Sequence, residues 1–383
     1  MKIFHLIFSL NIGGAELMLV DIINQQCRSN DVTLVVINDS MDPSVIRMID
    51  KRIRVHYLRR KPGNRFDIRF LVRLWSLLLR EKPAVLHCHN HNMIGLLPFW
   101  KHKACLTVHD VGIPVQENGT VVGTRFATEN ISRYGQVFAI SRSVQAALRE
   151  KGGIESQIVY NGVDLDAFRK REEYEALDGP FRLVQVSRLV HNIKGQDLLL
   201  KAVHELVHRR GVTGLTVDFV GGGPSEGYLK DLARELNLEG QVQFVSSKNK
   251  QWIQENLAGY HVLVQPSYFE GFGLTVVEGI VAGLPVIASA ENGPAEVLEG
   301  VPLGFLFPTG DAGALASNIQ QVMDLYSGGR VKALEEASSG LIAQRFSIRR
   351  TAEAYVRQYG NMIGKPVRPA RVRRHQQAVG SEE

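Results

Sequence analysis

Glu270 and Glu278 stand with seven residues between them in S-Y-F-E-G-F-G-L-T-V-V-E-G (267–279), on either side of a glycine-rich turn. Carboxylates repel phosphate, whereas a glycine turn that opens a helix attracts it. Gly271 and Gly273 let the backbone approach a ligand closely. The first amides of the helix, near Gly273, Leu274 and Thr275, lack intrahelical acceptors and sit at the positive end of the helix dipole. Both demands are met by a ligand with hydroxyl groups on each side of a diphosphate: the glutamates accept from the hydroxyls and the turn meets the phosphates. Such a ligand is a nucleotide sugar. Taken alone, Glu270 would pass for a loop charge and Glu278 for an acid favoured by the helix dipole. Q-V-S-R-L-V-H-N-I-K-G-Q (185–196) strengthens the ligand reading, because Arg188 and Lys194 follow a strand of the same unit and can neutralise a diphosphate.

These residues need a scaffold that brings strand ends together. The first half alternates apolar runs (K-I-F-H-L-I-F-S-L, D-V-T-L-V-V-I-N, A-V-L-H-C-H-N, A-C-L-T-V-H-D, Q-V-F-A-I-S) with helical patterns at 14–28, 66–82 and 142–152. A polar stretch, R-E-E-Y-E-A-L-D-G-P, reads as a linker, and the alternation restarts at F-R-L-V-Q-V-S-R-L. Strands alternating with helices predict α/β architecture with parallel sheets covered on both faces. Two doubly wound, Rossmann-like units are expected to hold a ligand in the cleft between them, at the carboxyl ends of their strands. The expected division is a first domain at 1–165, a linker at 166–180, a second domain at 181–345, a last helix at 346–364 and a disordered basic tail at 365–383.

Composition agrees with two packed domains. The 383 residues are 44% hydrophobic and 22% charged, with a net charge of +6. No apolar run approaches the ~20 residues that cross a bilayer, and M-K-I-F-H-L-I-F-S-L reads as a buried strand, not a leader. Cys27, Cys88 and Cys105 are too few, and odd in number, for a disulfide framework, which predicts a reducing, cytoplasmic location. Cations crowd residues 51–73, with Lys51, Arg52, Arg54, Arg59, Arg60, Lys61, Arg65, Arg69 and Arg73 against Asp67. An anionic membrane surface fits this patch, with R-F-L-V-R-L-W-S-L-L-L-R as an amphipathic surface helix; Trp75 and the leucines also suit a core. Nucleic acid is disfavoured, since no aromatic-rich basic module accompanies the charge.

The ordered set of N-I-G-G-A-E (11–16), T-V-H-D (107–110), A-I-S-R-S-V (139–144), N-G-V-D (161–164), V-G-G-G-P (220–224), the arginine–leucine and lysine–glycine pairs and E-G-F-G-L-T-V-V-E resembles the retaining glycosyltransferases of family four, with the GT-B fold. The resemblance spans residues 1–364. It implies a metal-independent transfer from a nucleotide sugar, UDP-linked by expectation, to a glycan or lipid-linked acceptor in bacterial cell-surface polysaccharide or glycolipid synthesis, at the inner face of the membrane. It implies that Arg188 and Lys194 bind the diphosphate, Glu278 the ribose, and Glu270, Gly271, Phe272 and Gly273 the sugar and distal phosphate. His109 would contact the sugar near the reacting carbon, with Asp110 orienting it. Gly13 and Gly14 would line the floor, and His89 the acceptor side. The last helix would cross back to the first domain. No cofactor is implied beyond the co-substrate.

Two positions depart from the family pattern: Ser187 stands where glycine is usual, and V-S-S (245–247) lacks an expected glycine, which leaves the nucleobase open. Three other signals compete. D-L-D (164–166) has the form of a metal-binding D-x-D, yet lies in the inter-domain connection. His87, His89 and His91 would share one face of an extended strand, a weak zinc signal. Gly221–Gly223 open neither unit's first turn, so the dinucleotide fingerprint is missing. A nucleotide-sugar epimerase or hydrolase, and a non-catalytic binding scaffold, are the rival functions.

Overall fold

The computed structural model describes residues 1–61, 68–109, 124–172, 174 and 179–364. Asp110, Arg65, Asp67 and the tail 365–383 therefore lie outside the described residues. Seven strands form the first sheet: β1 (Lys2–Ile7), β2 (Asp31–Asn38), β3 (Arg54–Arg60), β4 (Val85–Cys88), β5 (Ala104–Val108), β6 (Gln136–Ala139) and β7 (Gln157–Ile158). Their order is β3-β2-β1-β4-β5-β6-β7, all parallel. Six form the second: β8 (Phe181–Val186), β9 (Leu215–Val220), β10 (Val242–Val245), β11 (Val262–Gln265), β12 (Val286–Ser289) and β13 (Gly304–Phe307), ordered β10-β9-β8-β11-β12-β13 and also parallel. The strand order in each sheet reverses beside its first strand. That is where a doubly wound sheet opens a crevice at its carboxyl edge.

The apolar strands are runs rather than alternations because helices cover both faces; Val32 to Ile37 of β2 are all buried. The expected helix at 66–82 runs from Arg69 to Glu81 and stops at Lys82, in left-handed conformation, ahead of Pro83. Strand β13 was not anticipated. Its four residues lie too close to P-T-G to stand out by pattern, and pairing with β12 defines it.

The last helix, Ile348–Met362, returns to the first domain. Ile348, Tyr355 and Tyr359 pack with Ile3, Met18, Ile22, Val85 and Phe138. N-G-V-D makes the crossing: Val163 N–H donates to the Phe346 carbonyl (2.8 Å), and the Val163 carbonyl accepts from Ile348 N–H (2.9 Å). No helix among the described residues is long and apolar enough to cross a membrane. All three cysteines are free and buried.

Candidate donor site between the domains

A cleft of about 520 Å³ lies between the two domains. From the first domain it is lined by Gly13, Gly14, His109 and Ile140, and from the second by Ser187, Arg188, Lys194, Ser247, Lys248, Gln265, Glu270, Phe272, Gly273, Leu274 and Thr275. Sequence-predicted residues some 250 positions apart thus meet on one surface. Gly271 backs the cleft, where its backbone abuts the first domain: a Cβ there would sit 2.8 Å from the His109 carbonyl. Gly273 caps the helix Leu274–Val281 with φ +92°, a conformation that disfavours any side chain. The amides of Leu274 and Thr275, at that helix's start, have no intrahelical acceptor.

The end of β11 orients the acidic side. Gln265, 1% exposed, donates to Ser267 Oγ (2.8 Å) and to Glu270 Oε2 (3.4 Å), and its Oε1 accepts from Thr275 Oγ1 (3.2 Å). Lys194 Nζ holds the same Glu270 Oε2 at 2.7 Å. Among the described residues the other carboxylate oxygen of Glu270 has no partner and is left to accept hydroxyls. Arg188 is exposed, and among the described residues its guanidinium has no ion-pair or hydrogen-bond partner. The cleft therefore offers Lys194, paired to the glutamate, Arg188, unpaired among the described residues, and Lys248, which lies over the Trp252 ring.

Glu278 lies one turn beyond the cleft lining, partly buried. Burial pushes its carboxyl up to about 7; Lys250 opposes the shift and Asp21 adds to it. Asp21, on the helix Gly14–Gln26 of the first domain, pairs with Lys250, on the second domain. This inter-domain ion pair left no mark in the sequence reading.

Other contacts join the domains near the turn. Ser141, in A-I-S-R-S-V, caps the helix Arg142–Gly152 by accepting from Val144 N–H (3.1 Å) and donates its hydroxyl to the Gly271 carbonyl (2.6 Å). Arg142 Nε donates to Glu296 Oε1 (3.0 Å), which also accepts from the Tyr160 hydroxyl (2.6 Å).

His89 is buried behind His109 and does not line the cleft, so it can reach an acceptor only through His109. His91 starts a separate 3-10 turn, because β4 ends at Cys88 and the chain bends. The third imidazole beside His87 and His89 is instead His5, which β1 sets opposite His87 in register. Hydrogen bonds already engage all six ring nitrogens of this cluster: His5 with Gln26 and His89, His87 with Tyr359 and Thr107, and His89 with His5 and His109. A metal ion would have to displace these partners. Burial lowers the pKa of His5 and of His109 to about 4 and that of His87 and His89 well below the usual value, so the row is neutral at pH 7. Asp164 precedes a 3-10 turn at 165–167 and Asp166 lies within it, away from the cleft lining.

On the basic face, Phe70, Leu74, Leu77 and Leu78 of the helix Arg69–Glu81 turn inward. Val72 and Leu79 are exposed, as are Ile68 before the helix and Phe99. Trp75 is partly buried and donates to the Leu96 carbonyl (2.8 Å). Arg73 is tied to the Leu58 carbonyl (2.9 Å), and Arg52 and Arg54 pair with Asp50 and Asp31. Part of the cation density predicted to face a membrane thus serves local contacts.

Comparisons with known proteins agree with this geometry. The chain matches the family described as Glycosyltransferase Family 4 over residues 12–167 and that described as Glycosyl transferases group 1 over residues 166–338. The D-inositol 3-phosphate glycosyltransferase of Mycobacteroides abscessus is 28% identical over 226 residues, covering 56% of this chain and 48% of that protein. Its counterpart in Mycobacterium tuberculosis is 30% identical over 220 residues, 54% and 44% of the two chains. The chain spans about half the length of these curated relatives. Among solved structures, Anabaena HepE in complex with UDP has a TM-score of 0.75 at 20% identity, covering 94% of this chain and 100% of that one. Sucrose-phosphate synthase from Thermosynechococcus elongatus has a TM-score of 0.78 at 19% identity, covering 95% and 100%. At such identities the structural likeness speaks for the fold. Two consecutive family matches, one on each Rossmann-like domain, make this chain a member of the GT-B glycosyltransferases, its first half of family 4 and its second of group 1.

Proposed function

We propose that the chain moves a sugar, with retention of anomeric configuration and without a metal, from a nucleotide diphosphate donor to a glycan or lipid-linked acceptor. UDP is the expected nucleotide, and bacterial cell-surface polysaccharide or glycolipid the expected product. The observation that carries this reading is the convergence of Arg188, Lys194, the amino end of the helix Leu274–Val281 and Glu270 on one inter-domain cleft that His109 closes from the other side.

Each group then has a task. Breaking the bond between the anomeric carbon and the phosphate oxygen sends its electron pair to the diphosphate. Arg188, Lys194 and the helix amides stabilise that growing charge, and they are arranged before the reaction begins. The free oxygen of Glu270 accepts sugar hydroxyls while Gln265 and Lys194 hold the other. Glu278 accepts the ribose hydroxyls. The acceptor hydroxyl attacks from the face the diphosphate leaves, and its proton passes to the departing phosphate oxygen. HepE, which has been solved with UDP-glucose, supports the choice of UDP. The exposed apolar side chains of Val72, Leu79 and Phe99, together with the cations of 51–73, support a peripheral seat on anionic lipid at the inner membrane face.

A panel of UDP-, GDP- and ADP-sugars tests the proposal, read by released nucleotide with candidate acceptors and by thermal stabilisation. One nucleotide should stabilise the protein, and Lys194→Ala and Glu270→Ala should abolish turnover. Stabilisation by none of the donors, or turnover that survives both substitutions, would refute it.

A further inference from the structure

We propose that the hydroxyl of Ser187 is a donor-binding group, which gives its proton to a phosphate oxygen of the nucleotide diphosphate beside Arg188 and Lys194. This rests on the donor reading above. Ser187 follows β8 and lines the cleft with both cations. Two glutamine amides face its oxygen from the protein side: Gln196 Nε2 at 2.9 Å and Gln185 Nε2 at 3.5 Å.

The orientation of each amide is settled by a second contact. Gln196 Nε2 also donates to the Arg188 carbonyl (2.9 Å), and Gln185 Nε2 to the Lys194 carbonyl (2.8 Å). Both amides therefore present N–H groups, not oxygens, to Ser187. Both are buried, Gln196 at 0% and Gln185 at 1% exposure, so neither can swing away.

A serine hydroxyl has one proton to donate and two lone pairs with which to accept. Here the lone pairs are taken from within, and no acceptor among the described residues takes the proton. What remains is a donor aimed at the cleft, held by the loop that carries Arg188 and by the Lys194 turn. A phosphate oxygen, the strongest acceptor a nucleotide diphosphate brings, fits that donor. Glycine at this position would supply only its backbone.

Isothermal titration of the full chain with UDP, GDP and ADP, and with the matching nucleosides, tests the assignment. For the diphosphate that binds, Ser187→Ala and Ser187→Gly should each weaken binding about tenfold, the size of one charge-assisted hydrogen bond. Nucleoside binding should be unchanged, since no phosphate is present, and the unfolding temperature of each variant should match wild type. Wild type that binds a diphosphate, with Lys194→Ala weakened and both Ser187 variants unchanged, overturns the Ser187 assignment alone. So does an equal loss of nucleoside and diphosphate affinity. Failure of wild type to bind any of the three diphosphates overturns the donor reading, and this assignment with it.

Discussion

Glu278→Gln will make the ligand-free protein more stable at pH 8 and the donor complex weaker. Burial raises the carboxyl from an ordinary value of 4.5 to about 7, against the pull of Lys250 and with a push from Asp21. The folded state thus binds the proton more tightly than the unfolded chain. Stability from this group is fully present below pH 4.5 and lost as pH rises through 7. At about 1.4 kcal/mol for each pKa unit, the ionised carboxylate costs the fold up to about 3 kcal/mol at pH 8. Glutamine has the same shape and no charge to desolvate, so it should recover part of that cost. Calorimetry should show the variant melting a few degrees above wild type at pH 8, with the gap closing at pH 5. Binding should change the other way. A neutral amide in place of a charged acceptor loses about 1.5–3 kcal/mol against the ribose hydroxyls, roughly ten- to a hundredfold in Kd. A melting difference that is the same at both pH values, or an unchanged Kd for UDP, would refute the reasoning.

Wild-type affinity for the nucleotide should itself rise between pH 6 and 8, because the ionised carboxylate is the better acceptor; Lys250→Ala should move that midpoint up and Asp21→Asn should move it down, as read by titration at several pH values. Gly271→Ala should place a Cβ against the His109 carbonyl and push the domains apart, so turnover should fall at least tenfold while circular dichroism keeps its α/β shape. Sedimentation with phosphatidylglycerol vesicles should carry the protein down at low salt and release it at high salt, and the Val72→Glu, Leu79→Glu double variant should stay in solution even at low salt.

The residues of 267–279 were legible because a strand, a glycine turn and a helix start are local, and each has its own composition. Arg188 and Lys194 were legible for the same reason, at the end of β8 and six residues on. Gln265 and Ser187 were not read as site residues, although both lie in the quoted segments or beside them. Their part depends on which atoms they face, and an amide or a hydroxyl has no spacing signature. A-I-S-R-S-V and N-G-V-D were recognisable as motifs, but their contacts were not: Ser141 ties the first domain to the Gly271 turn, Val163 anchors the crossing of the last helix, and Ile140 and Asn161 line the cleft.

The sequence by itself determined that two parallel α/β units would face each other across a glycine-rich turn, since apolar runs, glycine stops and helix starts are written within a few residues of one another. Tertiary structure alone decided the partners of those groups. His5 joins His87, 82 positions further along the chain, because β1 and β4 pair in that register. Glu278 has a raised pKa because folding buries it and brings Asp21, from a distant part of the chain, close to it, while Lys250 pulls the other way. Electrostatic fields and hydrogen bonds depend on distance in space, and chain closure sets that distance without leaving a pattern in the order of residues.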